Sequence, residues 1–147
     1  MVKLFDIKII QPEDIILEDT ARGYMLVAPT GGGSFCGGKI SGKVLPVGMG
    51  ISCTPLTGIN IIEAPFLLET YDGAKIYMRL SAYLDLPQET EDRLASGDSV
   101  PPDEYYYKGT VSFDVSAPEY KWMENKVYVC KGVINDFQTL GFEVYEV

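Results

Sequence analysis

Apolar runs of strand length, separated at short intervals by glycine and proline, are what most constrain the fold of this chain. Its 15 glycines and 9 prolines fall mostly between those runs, where they end regular structure. At the start, Phe5, Ile7 and Ile9 alternate with Asp6 and Lys8, the period-two pattern of a half-buried strand. Gln11-Pro12-Glu13-Asp14 breaks that run, residues 15–17 read as a short strand or bend, and the apolar run 23–28 stops at Pro29. Residues 105–107 and 111–115 read as a strand pair or one bent strand. Tyr120-Lys121-Trp122 introduces 127–130, and 142–147 closes the chain. The one helix candidate lies within 84–97: Pro87 opens it, Glu89 and Glu91 suit its first turn, Arg93 its last, and Gly97 stops it. Short strands with so little helix define an all-β, antiparallel sandwich or barrel with one short helix. At 147 residues the chain has the size of a single domain, 1–147.

The clearest local signal is Tyr71-Asp72-Gly73-Ala74 between the apolar runs 64–70 and 75–80. Asp-Gly between two such runs predicts a two-residue hairpin loop, because both positions of a type I′ turn need positive φ. That register puts Phe66, Leu68, Thr70, Lys75, Tyr77 and Arg79 on one face, and Leu67, Glu69, Ile76, Met78 and Leu80 on the other. Both faces are then partly apolar, which predicts cover on both sides: a barrel interior on one and a subunit contact on the other. In this register Glu69 and Arg79 face opposite ways. A buried, unpaired Glu69 costs several kcal/mol, so it must reach solvent, pair or titrate abnormally.

Composition narrows function mainly by exclusion. With 21 acidic and 12 basic residues the net charge is -9, and no Lys/Arg cluster offsets it. Nucleic acid and anionic membrane surfaces are therefore not expected as partners, since both are bound by concentrated positive charge. No run approaches the roughly 18 apolar residues of a membrane helix. Asp6 and Lys8 interrupt the opening apolar run, so it reads as a strand rather than a secretory leader. Cys36, Cys53 and Cys130 form no C-x-x-C pair and read as free thiols of a cytoplasmic protein. With no histidine in the chain, metal sites and Ser-His or Cys-His nucleophiles are not expected, and no cofactor is called for. Chemistry would rest on carboxylates, Tyr, Lys, Arg or a thiol.

The stretch 31–42 holds six of the glycines: 31, 32, 33, 37, 38 and 42. Gly38-Lys39 runs into Ile40 rather than Ser or Thr, so the phosphate-loop pattern fails. Glycine here marks a tightly bent strand with close backbone approach. Cys36 would be accessible among these glycines, but nothing nearby activates it as a nucleophile.

Several ordered motifs carry a family resemblance. They are Gly-Gly-Ser-Phe at 32–35, Gly-Lys-Val-Leu-Pro at 42–46 and Leu-Glu-Thr-Tyr-Asp-Gly-Ala-Lys-Ile-Tyr at 68–77. Pro-Asp-Glu-Tyr-Tyr-Tyr at 102–107 and the segment from Trp122 to Val127-Tyr128-Val129 complete the set. Over residues 22–147 the chain resembles the UPF0311 family, also called the DUF3237 domain. The resemblance implies a small antiparallel barrel, similar to allene-oxide-cyclase and lipocalin-like barrels. The family is largely uncharacterised, so it implies little about activity. Many members have Gly-x-Asp-Trp where this chain reads Gly48-Met49-Gly50-Ile51, and Trp-Leu-Asn where it reads Trp122-Met123-Glu124. Leu80 and Ala82 stand where Asn and Gly are frequent. If those polar positions line a pocket in relatives, this chain has remodelled part of it.

Three functional readings follow. In the first, the barrel holds a small, partly apolar or aromatic ligand, with Arg22, Tyr77, Tyr106 and Trp122 as candidate lining residues. In the second, the pocket is a cofactor-independent isomerase or cyclase. Glu69 is its base and Arg79 donates to a developing oxyanion. In the third, the two-sided hairpin makes a non-catalytic homo-oligomeric assembly module.

Overall fold

The computed structural model describes residues 1–56 and 58–147. Its strands are β1 (Val2–Ile10), β2 (Ile15–Thr20), β3 (Gly23–Pro29), β4 (Gly33–Cys36), β5 (Ser41–Val44), β6 (Met49–Thr54), β7 (Asn60–Thr70), β8 (Lys75–Asp85), β9 (Tyr106–Val115), β10 (Tyr128–Ile134) and β11 (Thr139–Glu146). Every pairing is antiparallel, and eight strands close on themselves in the order β1, β4, β5, β7, β8, β9, β10, β11. The all-β barrel is thus the observed architecture. Closure leaves this ring without the free edges that invite aggregation.

Period-two alternation builds the interior. Phe5, Ile7 and Ile9 of β1 are buried while Asp6 and Lys8 face water. Ile76, Met78, Leu80 and Ala82 of β8 point inward, as do Val111, Phe113 and Val115 of β9. Phe5 is central, with its ring centroid 5.2 Å from Phe35 and 6.0 Å from Phe113. Among the described residues the one α-helix, α1 (Gln88–Ala95), starts after Pro87 and ends before Gly97, whose φ of 90° reverses the chain. Tyr120-Lys121-Trp122 lies in a 3-10 turn, Pro118–Asn125, and Tyr106–Val115 forms one strand rather than two.

The hairpin register differs from the predicted one by a single residue. Glu69 pairs with Lys75, Leu68 with Ile76 and Phe66 with Met78, so the loop holds three residues, Tyr71, Asp72 and Gly73. The Gly73 N–H donates to the Thr70 carbonyl at 3.0 Å, and Gly73 alone takes positive φ, at 88°. This is a type I turn closed by a left-handed residue. Asp72 is tied down by the Thr70 hydroxyl and by Tyr120, whose hydroxyl donates at 3.0 Å. The slip turns every side chain of β8 over. Ile76, Met78 and Leu80 join Phe66 and Leu68 inside, each contributing about 1.5–3 kcal/mol by burial. Glu69, Lys75, Tyr77 and Arg79 share the outer face. The hairpin is therefore not apolar on two sides, and Glu69 and Arg79 do not face opposite ways.

Close approach accounts for the glycine-rich stretch. A Cβ on Gly37 would collide with the Leu4 carbonyl, and one on Gly42 with the Glu69 carbonyl. Small residues let β4 and β5 nest between β1 and β7.

The barrel also carries an extension. The eleven residues of β7 serve two neighbours: Leu68–Thr70 pair with β5, whereas Ile61–Glu63 pair with β6. From β6 the sheet continues through β3 to β2. Where β7 leaves β5, the wall of the barrel is handed to this three-stranded flap.

Candidate functional site

A cavity of about 250 Å³ lies between the flap and the barrel. Cross-strand register aims one face of the flap into it. Leu26 stands opposite Ser52 and Ala28 opposite Gly50, and Ser52 in turn stands opposite Ile62 of β7. Leu26, Ala28 and Ile62 are half-buried because their free sides border the cavity rather than packed core. Ile9, Phe66 and Leu140 form the facing wall. Exposed Asp14, Asp136 and Phe137 mark the mouth. The turn carrying Asp136 is held by a Gln138 N–H to Asp136 bond of 2.8 Å and by a Gln11 N–H to Gln138 carbonyl bond of 2.8 Å.

Few polar groups reach inside. The Ser52 hydroxyl is engaged by Asn60. Thr30 is buried on the lining, as is Tyr107, which is only 4% exposed. The Tyr107 ring lies against Gly132, where a Cβ would strike it, and meets Phe142 edge-on at 5.1 Å. Burial first, and the nearby Cys130 and Tyr105 second, push its pKa well above the usual tyrosine value, so the hydroxyl stays protonated. Among the described residues no Lys or Arg lines the cavity. Among the described residues no three of Cys, Asp and Glu gather closely enough to hold a metal ion.

The six residues singled out from the sequence lie elsewhere, and none of them lines this cavity. Glu69 sits on the outer face between Lys75 at 3.1 Å and Lys43 at 3.3 Å. Their hydrogen bonds, Lys75 first, hold its carboxyl below the usual range. Arg79 clasps Asp114 with both guanidinium nitrogens, its Nε donates to the Ser112 hydroxyl at 3.2 Å, and its head lies 6.0 Å from the Tyr77 ring. Glu69, Tyr77 and Arg79 thus share one solvent-facing surface. Arg22 lies in the β2–β3 turn, 3.7 Å from Glu63. Trp122 donates its indole N–H to the Glu119 carbonyl at 3.1 Å, with Lys39 5.5 Å over its ring. Tyr106 is half-exposed and borders a shallow outer hollow with Ile61 and Tyr83.

Sequence reasoning missed Tyr107 although a signal for it was present. In a strand, Tyr107 is in phase with Val111, Phe113 and Val115, whereas Tyr106 is out of phase with them. Leu26 and Ile62 carried no such signal, because both faces of their strands are apolar.

The fold and site together define a class: a closed antiparallel barrel with one apolar end cavity and few polar groups inside it. The chain belongs to the family described as "Protein of unknown function (DUF3237)", which matches residues 2–147. It is 30% identical over 129 residues to a UPF0311 protein of Clostridium acetobutylicum, covering 87% of this chain and 82% of that one. A crystal structure described as a beta-barrel like protein from Acinetobacter baumannii superimposes with a TM-score of 0.83 at 29% identity, covering 99% of this chain and 93% of the other. A conserved protein of unknown function from Rhodopseudomonas palustris shares the fold, with a TM-score of 0.89 at 24% identity over 99% of this chain and 95% of that one. The family resemblance and the barrel are thus both borne out. Among the described residues no helix is long and apolar enough to cross a membrane.

Proposed function

We propose that the chain binds a small, largely apolar molecule in its end cavity. The observation that carries this reading is the wall of half-buried Leu26, Ala28 and Ile62, which borders open space instead of packed side chains. Interiors are normally filled to crystal-like density. An apolar cavity left open in a barrel is the usual form of a small-molecule site. The test is calorimetric titration with 2-isopropylnaphthalene on the wild type and on Ala28→Trp, which fills the space. Saturable binding that the substitution abolishes is expected; equal binding by both proteins refutes the site.

A catalytic role for Glu69 and Arg79 is the weaker reading. Two lysines hold Glu69 ionised and satisfied, which makes it a poor proton acceptor. Assembly with a second copy of the chain has an observation of its own. Strand β2 is paired on one side only, and Ile15, Ile16 and Leu17 are 52%, 52% and 43% exposed. An apolar free edge of this kind suits antiparallel pairing with itself about a two-fold axis. Leu17→Lys is then expected to shift the native mass from oligomer to monomer; an unchanged mass removes β2 as the contact. Three unpaired cysteines favour a reducing, cytoplasmic setting.

A further inference from the structure

Tyr107 stands apart from the other buried tyrosines of the core. The Tyr105 hydroxyl accepts the Ile134 N–H at 2.8 Å. The Tyr128 hydroxyl is sealed in the core without a partner. Tyr107 borders the cavity, is 4% exposed, and its hydroxyl has no hydrogen-bond partner among the described residues. Its ring is fixed by Gly132 beneath it and Phe142 beside it. An oriented donor with nothing to donate to, in a largely apolar cavity, is a recognition group awaiting an acceptor.

Size and charge restrict that acceptor. An apolar cavity of about 150 Å³ holds one benzene ring, so about 250 Å³ suits a molecule of one to two rings. Asp14 and Asp136 stand at the mouth and no cation lines the interior. An anion would lose its hydration beside two carboxylates and gain no counter-charge.

We infer that Tyr107 is the polar anchor of the cavity and selects uncharged, mostly apolar molecules of one to two rings that carry a carbonyl or similar acceptor. This rests on the cavity being a binding site. Because the hydroxyl is protonated at neutral pH, it acts as donor throughout the physiological range.

The experiment compares 2-acetylnaphthalene, its near-isostere 2-isopropylnaphthalene, and the anion 2-naphthalenesulfonate on the wild type and Tyr107→Phe. The variant keeps the ring and removes only the hydroxyl. Loss of one neutral hydrogen bond is expected to weaken the ketone about three- to tenfold and leave the hydrocarbon unchanged. The sulfonate is expected not to bind. Ketone affinity that is unchanged, or that falls in step with the hydrocarbon, overturns the anchor while the cavity stands. Sulfonate binding as tight as the ketone overturns the charge selection. Failure of both neutral probes on the wild type refutes the cavity reading itself, and the anchor with it. Infrared spectroscopy of the bound ketone decides the point without a variant. A carbonyl stretch lowered by hydrogen bonding is expected, and an unshifted one overturns the assignment.

Discussion

The closed barrel and the β2–β3–β6 flap are made from similar proportions of apolar residue yet obey different rules. In β1, β8 and β9 every second side chain is buried and those between are mostly charged or polar, as with Phe5, Ile7 and Ile9 against Asp6 and Lys8. In β3 no residue is fully buried, and in β2 Ile15, Ile16 and Leu17 are all exposed. The barrel spends its apolar surface on its own core. The flap presents Leu26 and Ala28 to the cavity and leaves Ile15, Ile16 and Leu17 exposed. Stability therefore resides in the ring of eight strands, and the proposed binding site at the seam where β7 passes from one region to the other.

Truncation in the two regions tests that division with the largest expected effect. Phe5→Ala removes a fully buried ring wedged between Phe35 and Phe113, and is expected to cost about 3–5 kcal/mol in urea unfolding. Leu26→Ala, on the cavity wall, is expected to cost about 1 kcal/mol, because its side chain is only half-removed from solvent. Comparable losses at the two positions would erase the distinction.

The same contrast explains how much of the molecule the sequence made legible. Where one face of a strand is buried and the other wet, alternation reads directly, which is why β1 and an all-β sandwich or barrel follow from residues alone, the family resemblance then selecting the barrel. Helix α1 was legible through Pro87 and Gly97 for the same local reason. The Asp72-Gly73 hairpin was placed correctly and registered wrongly. Asp-Gly serves a two-residue loop as well as the end of a three-residue one, and burial of Ile76, Met78 and Leu80 decides between them. The cavity was not legible, since an apolar residue facing open space looks the same in sequence as one facing a packed neighbour. Polar candidates such as Glu69 and Arg79 drew attention for their chemistry, while the buried tyrosine of the lining was one in a run of three.

Alkaline titration probes the barrel interior with a smaller effect. Burial chiefly, with a further contribution from Glu146, pushes the Tyr128 hydroxyl up to about 12. A raised folded pKa means the unfolded chain ionises first, so stability is full below about pH 10 and declines as pH rises through 12. The full loss for Tyr128 is roughly 3 kcal/mol, given that one pKa unit corresponds to about 1.4 kcal/mol. Tyr107 is raised in the same direction by its own burial. Urea midpoints measured between pH 9 and 12 are expected to fall with pH. Tyr128→Phe is expected to flatten the decline, and a variant as steep as the wild type would place the titrating groups elsewhere.

The outer face of the hairpin supplies the smallest expected effect and the sharpest control. Glu69 is bracketed by Lys43 and Lys75, but all three side chains border water. Exposed pairs of this kind are worth about 0.2–1 kcal/mol. Glu69→Gln is accordingly expected to lower the urea midpoint only slightly and to leave 2-acetylnaphthalene affinity unchanged, because no strand of the cavity wall changes register. Arg79→Ala breaks the clasp on Asp114 from the same surface and carries the same expectation. Loss of binding in either variant, with the fold intact by circular dichroism, would mean that the charged outer face communicates with the cavity. Recognition could then no longer be assigned to the seam alone.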